Sequence, residues 1–262
     1  LEYNLKQELI NARKQILETS FISQAGHIPS AFSILEILFV LYKETMNFKD
    51  DVFILSKGHG CLALYVTFYE MGIISEEDFH SFCSYESKLG GHPHCKKLKE
   101  IFASTGSLGH GLPIAIGAAL SKKIEKKPGR VFCLIGDGES NEGTIWESAL
   151  LAKNLQLDNL VCIIDNNKSQ IRSLPVNSIR KKFHAFDWTV IEVQDGHNTE
   201  QIFEALKNTQ HSELSPFCIL CNTIKGKGIK EMEDNMFAWH HGPPDETMYS
   251  KFCVELDEKS IC

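Results

Sequence analysis

A chain of 262 residues with 43% hydrophobic content can bury a full core and needs no disulfide or metal staple to fold. Its 34 acidic and 27 basic residues give a net charge of -7 spread along the chain. No basic stripe is present to neutralise a phosphate backbone, so nucleic acid is not an expected partner.

The longest apolar stretch, Phe32 to Tyr42, is interrupted by Glu36 and is too short to cross a bilayer. The opening Leu1-Glu2-Tyr3-Asn4 lacks the apolar core of a signal peptide, so the expectation is a cytoplasmic protein without a membrane partner. Nine cysteines, scattered and in several cases inside apolar runs, read as reduced thiols.

In chain order, Leu5 to Ser23 and Ser30 to Tyr42 carry apolar residues at helical spacing, with Ser30 as a candidate N-cap. A mostly helical first third is predicted. Gly109 to Ala119 is a further helix, so rich in Gly and Ala that it must pack closely against a neighbour or a ligand.

Four short apolar runs then read as strands: Arg130 to Ile135, Leu160 to Asp165, Trp188 to Val193 and Phe217 to Thr223. Helix-period segments, Glu142 to Leu157 and Thr199 to Thr209, lie between them. A repeat of roughly thirty residues is the size of a βαβ unit. The predicted fold class is α/β, three αβα layers around a mostly parallel sheet. No repeat or linker divides the chain, so residues 1–262 read as one domain. Cys218 and Cys221, three apart in a strand, should point to opposite faces and form no redox pair.

The strand ending at Ile135 runs into Gly136-Asp137-Gly138, and the next ends in Asp165-Asn166-Asn167, which places Asn167 thirty positions after Asp137. Adjacent parallel strands would deliver both oxygen ligands to the carboxyl edge, where open α/β sheets bind ligands and where the helix beginning near Glu142 adds free N–H groups. Mg²⁺ takes about six oxygens and shares them between few protein groups and phosphate. Asp137, Asn167 and a backbone carbonyl placed at Ser169 would leave room for two diphosphate oxygens and a water. Alone, Gly-Asp-Gly would be a turn after a strand; the pairing at this spacing favours the metal.

Gly136-Asp137-Gly138 with Asn166-Asn167 resembles the diphosphate signature of thiamine-diphosphate enzymes. Further motifs narrow the resemblance to the amino-terminal half of the transketolase family: Ala25-Gly26-His27, Leu55-Ser56-Lys57-Gly58-His59-Gly60, Gly91-His92-Pro93, Thr105 to Gly111, Glu139 with Asn141-Glu142-Gly143, Asp195-Gly196-His197, and Trp239-His240-His241-Gly242. The likeness runs through essentially the whole chain. It implies the thiamine-diphosphate-binding fold, with thiamine diphosphate and Mg²⁺ as cofactors, and transfer of a two-carbon ketol unit between a ketose or its phosphate and an aldose or its phosphate.

The resemblance implies roles for single residues. His27 and His92 would contact donor hydroxyls, His59 would lie between the diphosphate and the substrate channel, and His241 would hydrogen-bond the diphosphate and the reacting oxygen. Imidazoles suit that proton traffic near neutral pH. Gly106, Ser107 and Leu108 would present backbone and apolar surface to the cofactor, and Gly138 would do so at the diphosphate. Glu142 either resembles an interface carboxylate linking paired active sites or complements a helix dipole in the first turn. His197 matches the family but sits at a loop-to-helix entry, where closing a turn is its expected role.

Ala25, Pro29 and His110 depart from the family pattern, and the segment from Asn167 to Trp188 looks short, which bears on Ser169. The family's pyrimidine-binding half, with its activating glutamate, is not in this sequence. The expectation is therefore a separate pyrimidine-domain partner chain, in a heterotetramer with two copies of each chain. Two other readings remain: the α subunit of a 2-oxoacid dehydrogenase or decarboxylase, which leaves the ordered histidines unexplained, and a non-catalytic cofactor-binding relative. A dinucleotide-binding dehydrogenase is set aside because neither of the glycine-rich phosphate loops occurs.

Overall fold

Apolar runs that send alternate side chains to two covered faces form the strands. In the computed structural model, which describes residues 2–172, 174–210, 214–239 and 241–261, five strands form one parallel sheet. They are β1 (Val52–Leu55), β2 (Val131–Gly136), β3 (Leu160–Asn166), β4 (Thr189–Val193) and β5 (Phe217–Asn222), in the order β1-β2-β3-β5-β4. In β2, Phe132 and Leu134 enter one core layer while Val131, Cys133 and Ile135 enter the other. Cys221 and Cys218 divide between the layers in the same way. The described cysteines are all free.

The first core layer receives α1 (Glu2–Ser23), α2 (Ile28–Phe32), α3 (Leu35–Val40), α4 (Cys61–Glu70) and α5 (Glu76–His80). The opposite layer is covered by α6 (Gly111–Ile124), α7 (Gly143–Asn154) and α8 (Ile179–Ala185). The last helices, α9 (Thr199–Lys207), α10 (Lys230–Asp234) and α11 (Glu246–Ile261), return to the first layer. Among the described residues, no helix is long and apolar enough to cross a membrane.

From β1 through β3 to β4 the chain steps in one direction, with α6, α7 and α8 on one face. It then steps back to β5 with α9 on the other face, the change that crossovers of constant hand require. The connections leaving β3 and β5 therefore run to opposite faces, the arrangement that marks a switch point.

The four predicted strands form, but β1 was not anticipated. Its four residues are too few to separate strand from helix by pattern alone. The helix expected over Ser30 to Tyr42 divides at Ser33 and Ile34, and past α3 it loosens into a π turn over Leu41–Thr45. Ser30 is not an N-cap: Pro29 occupies the first turn of α2 and starts the helix earlier.

Candidate functional site

Gly136 of β2 lies opposite Asp165 of β3, so the two strand ends deliver Asp137 and Asn167 to one edge. Asp137 heads the tight turn Gly138–Asn141 that leads into α7. Its Oδ1 accepts the Gly138 N–H at 2.7 Å and the Ser169 hydroxyl at 3.2 Å. Its Oδ2 is buried with no hydrogen-bond partner among the described residues. Burial, and then the charge of Asp165, push the Asp137 carboxyl up to about 6. An orphaned, buried carboxylate oxygen is costly until a cation or donor completes it.

Asn167 is oriented by its surroundings. Its Nδ2 donates to Asp165 Oδ2 at 2.9 Å and to Ser33 Oγ at 3.0 Å, while its Oδ1 accepts the Ser169 N–H at 3.0 Å. A carboxylate can only accept, so the amide must turn its nitrogen to Asp165 and its oxygen to the Ser169 side. Asp165 is filled on both oxygens: the Ser33 hydroxyl donates to Oδ1 at 2.6 Å, joined there by Thr223, and the Lys57 ammonium pairs with Oδ2. Asp137, Asn167 and Ser169 thus form an oxygen-rich corner that suits Mg²⁺. No three His, Cys, Asp or Glu side chains gather around a metal-sized gap among the described residues. A cation at this corner would draw further ligands from phosphate and water, as Mg²⁺ commonly does.

Glu139, buried in the same turn, ties this corner to the next loop. It accepts the Gly136 N–H at 3.0 Å, the Gly109 N–H at 2.8 Å and the Ser56 hydroxyl. Burial raises its carboxyl above the usual range. Gly109 has φ +83°, and a Cβ there would sit 2.5 Å from Thr144 Oγ1 and 2.6 Å from Glu142 Cβ, so only glycine lets the loop approach α7. Gly106, Ser107 and Leu108 precede it, with Ser107 exposed and Leu108 half-buried.

The turn after β1 carries both ends of the site: Lys57 reaches Asp165, and two residues on His59 joins the histidines. The His27 ring lies 5.3 Å from His59 and 4.5 Å from His241, centroid to centroid. His92 packs over the backbone of Gly58 and Gly106. Four histidines far apart in sequence are thus brought to one edge. His240 lies outside the described residues. Glu142 stands at the N-cap position of α7, exposed and without a capping hydrogen bond. His197 is not on the surface of its turn: its backbone N–H bonds Asp195 Oδ1, and its ring bridges Glu36 and the Ile224 N–H.

Several residues of the site have no role that the sequence pattern had suggested. Lys57 and Glu139 lie inside the family-like motifs and Asp165 adjoins one; the ends of predicted strands were the available signal for Asp165 and Glu139, but no strand was predicted ahead of Lys57. Ser33, Thr223 and Lys225 lie outside them. Lys225 is 3% exposed and faces Asp165, Asp137 and Lys57 electrostatically. Burial and the Lys57 charge bring its ammonium down to about 8. Its signal was a lysine between the end of an apolar run and Gly226, at the same sheet edge.

Comparison with known proteins shows the family of the chain. Residues 6–248 match the family model described as transketolase, thiamine diphosphate binding domain. An apulose-4-phosphate transketolase subunit from Phocaeicola vulgatus is 36% identical over 260 residues, covering 94% of this chain and 92% of that one. The 6-deoxy-6-sulfo-D-fructose transketolase subunit SqwG of a Clostridium species is 34% identical over 271 residues, covering 98% of each. Human transketolase is 35% identical over 266 residues, but this chain spans only 42% of its length. The crystal structure of transketolase from Campylobacter jejuni superposes with a TM-score of 0.87 at 27% identity, over 98% of this chain and 43% of that one. The chain belongs to the family of transketolase thiamine-diphosphate-binding domains.

Proposed function

We propose that this chain is the diphosphate-binding subunit of a two-chain transketolase, using thiamine diphosphate and Mg²⁺ to move a two-carbon ketol unit between sugars. The observation that carries the reading is the buried Asp137 Oδ2, without a hydrogen-bond partner among the described residues, on a carboxylate that Ser169 links to the Asn167 side-chain oxygen. On this reading Asp137, Asn167 and the Ser169 carbonyl hold the metal. Gly138, His59, His241 and the Gly106-Ser107-Leu108 backbone hold the cofactor, and the Lys225 ammonium neutralises the diphosphate.

When bound, the cofactor supplies the carbanion that accepts and releases the ketol unit. This chain's residues place it and handle protons. His27 and His92 hold donor hydroxyls, and His241 sits 4.5 Å from the His27 ring, where it can pass a proton to the reacting oxygen.

The partner is a separate pyrimidine-domain chain, in an assembly with two copies of each, in the cytoplasm. Two supports favour it. Relatives of nearly the same length are named as transketolase subunits. Ile114 on α6 and Leu150 and Leu151 on α7 are exposed apolar side chains, and α7 begins beside Glu142. Those subunit relatives are named for a phosphorylated and a sulfonated sugar, so the substrate class we infer is a ketose with an anionic group.

The test is to mix the purified chain with a pyrimidine-domain protein from a neighbouring reading frame. Ketol transfer from a ketose phosphate to an aldehyde should appear only in the mixture, with Mg²⁺ and thiamine diphosphate. Enzyme-like transfer by the chain alone, or activity of the mixture on 2-oxoacids instead, would sink it.

A further inference from the structure

His197 belongs to a motif that the proposed reaction does not use. Its side chain is only 5% exposed. Its Nε2 accepts the Ile224 N–H at 2.8 Å, and its Nδ1 lies 3.0 Å from Glu36 Oε2. A backbone N–H can only donate, so Nε2 must present its lone pair, and Nδ1 carries the proton given to Glu36. Glu36 stays ionised: burial would raise its carboxyl, but Arg13 and His197 together hold it at about 2.

Arg13 links this pair to the same loop. Its Nη2 donates to Glu36 Oε1 at 2.6 Å and its Nε donates to the Lys227 carbonyl at 2.8 Å. The Gly226 N–H donates to the Pro29 carbonyl at 3.0 Å. Behind the loop, a Cβ on Gly196 would lie 2.5 Å from Thr223 Cγ2, so glycine lets the His197 turn press against the loop's start. Ile224, Gly226 and Lys227 are therefore each tied to a different element, and the Thr223 hydroxyl is tied to Asp165. Between those ties stands Lys225.

We infer that Arg13, Glu36 and His197 form a positioning relay that sets where the Lys225 ammonium meets the diphosphate. The relay rests on the proposed role of Lys225 as the diphosphate's cation. His197 is then a positioning residue that acts through Lys225 and touches no substrate.

The experiment uses the full chain and two readouts: amide hydrogen exchange at Ile224 without ligand, and calorimetric titration with magnesium pyrophosphate. His197→Leu removes both ring hydrogen bonds. His197→Gln can keep an acceptor for Ile224 and a donor for Glu36. His197→Leu is expected to speed Ile224 exchange and to weaken pyrophosphate about tenfold, the scale of one or two hydrogen bonds, while His197→Gln restores both. In a Lys225→Met background, His197→Leu should cause no further loss of affinity, because its effect passes through the lysine. Should His197→Leu fail to fold, Arg13→Lys loses the Nε tie to Lys227 but keeps the charge beside Glu36. It should show the same dependence on Lys225.

An unchanged Ile224 exchange rate, or an affinity loss equally large with and without Lys225, would overturn the relay while the wild type still binds. A wild-type chain that binds no magnesium pyrophosphate overturns the cofactor reading, and the relay with it.

Discussion

At the proposed metal end of the site, Asp165, Lys57, Glu139 and Asn167 are buried and joined by hydrogen bonds drawn from β1, β2, β3 and α2–α3. At the histidine end, His92 and His241 are exposed and His27 and His59 are half-buried. The first region is a closed polar network that the chain orders by itself, in which Asp137 Oδ2 is buried with no hydrogen-bond partner among the described residues. The second is a partly exposed cluster of imidazoles. A buried network fixes geometry because each unmade bond is costly, whereas an open row of imidazoles can be completed by another surface. The contrast explains how a chain spanning about two fifths of human transketolase can be well built at one end of its site and open at the other.

Substitutions should separate the two regions, beginning with the largest effect. Asp165→Ala would strand the Lys57 ammonium, 2% exposed, without its partner, and release Asn167, Ser33 and Thr223. A loss of about 3–5 kcal/mol in urea unfolding is expected, the scale of a broken buried ion pair. Less than 1 kcal/mol would mean that the metal end is not held as described.

The next effect is a pH dependence. Asp137 binds its proton up to about 6 in the folded chain against 3.8 ordinarily, through burial and the Asp165 charge. The metal-free fold is therefore favoured at acid pH, and the contribution of this group falls as pH rises from about 4 through about 6, by about 3 kcal/mol. Asp137→Asn should abolish that fall, and saturating Mg²⁺ should offset it in the wild type because the ion binds only the carboxylate. Unfolding curves across this range, with and without the ion, check both statements.

Gly109→Ala, which sets a Cβ against Thr144 and Glu142 at φ +83°, should cost about 1–3 kcal/mol, read as a lowered melting temperature. At the open end, His92→Ala should change stability by no more than about 0.5 kcal/mol. Ketol transfer with the partner present should nonetheless fall about a hundredfold or more. A large loss of stability at His92 would erase the contrast between the two regions.

The strands β2 to β5 and their spacing were legible because a parallel sheet buried on both faces leaves unbroken apolar runs separated by helical periods. That Asp137 and Asn167 come to one sheet edge was legible for a related reason: strand ends are where such a sheet presents polar groups. β1 was not legible, since Val52 to Leu55 is too short to carry a period, and with it went the role of Lys57. The hydrogen bonds of Ser33, Thr223 and His197 depend on segments 132, 58 and 161 residues away. No local pattern encodes such distances. His197 shows the cost: its motif suggested a turn, and the turn exists, but the ring's partners lie on α3 and after β5.

We propose that this chain alone builds a metal-dependent diphosphate site around Asp137 and Asn167, and calorimetric titration of the isolated chain with pyrophosphate, with and without Mg²⁺, is the measurement that checks it. Saturable binding that requires the metal and disappears in Asp137→Asn is expected. Binding that is indifferent to Mg²⁺, or unchanged in that variant, would contradict it.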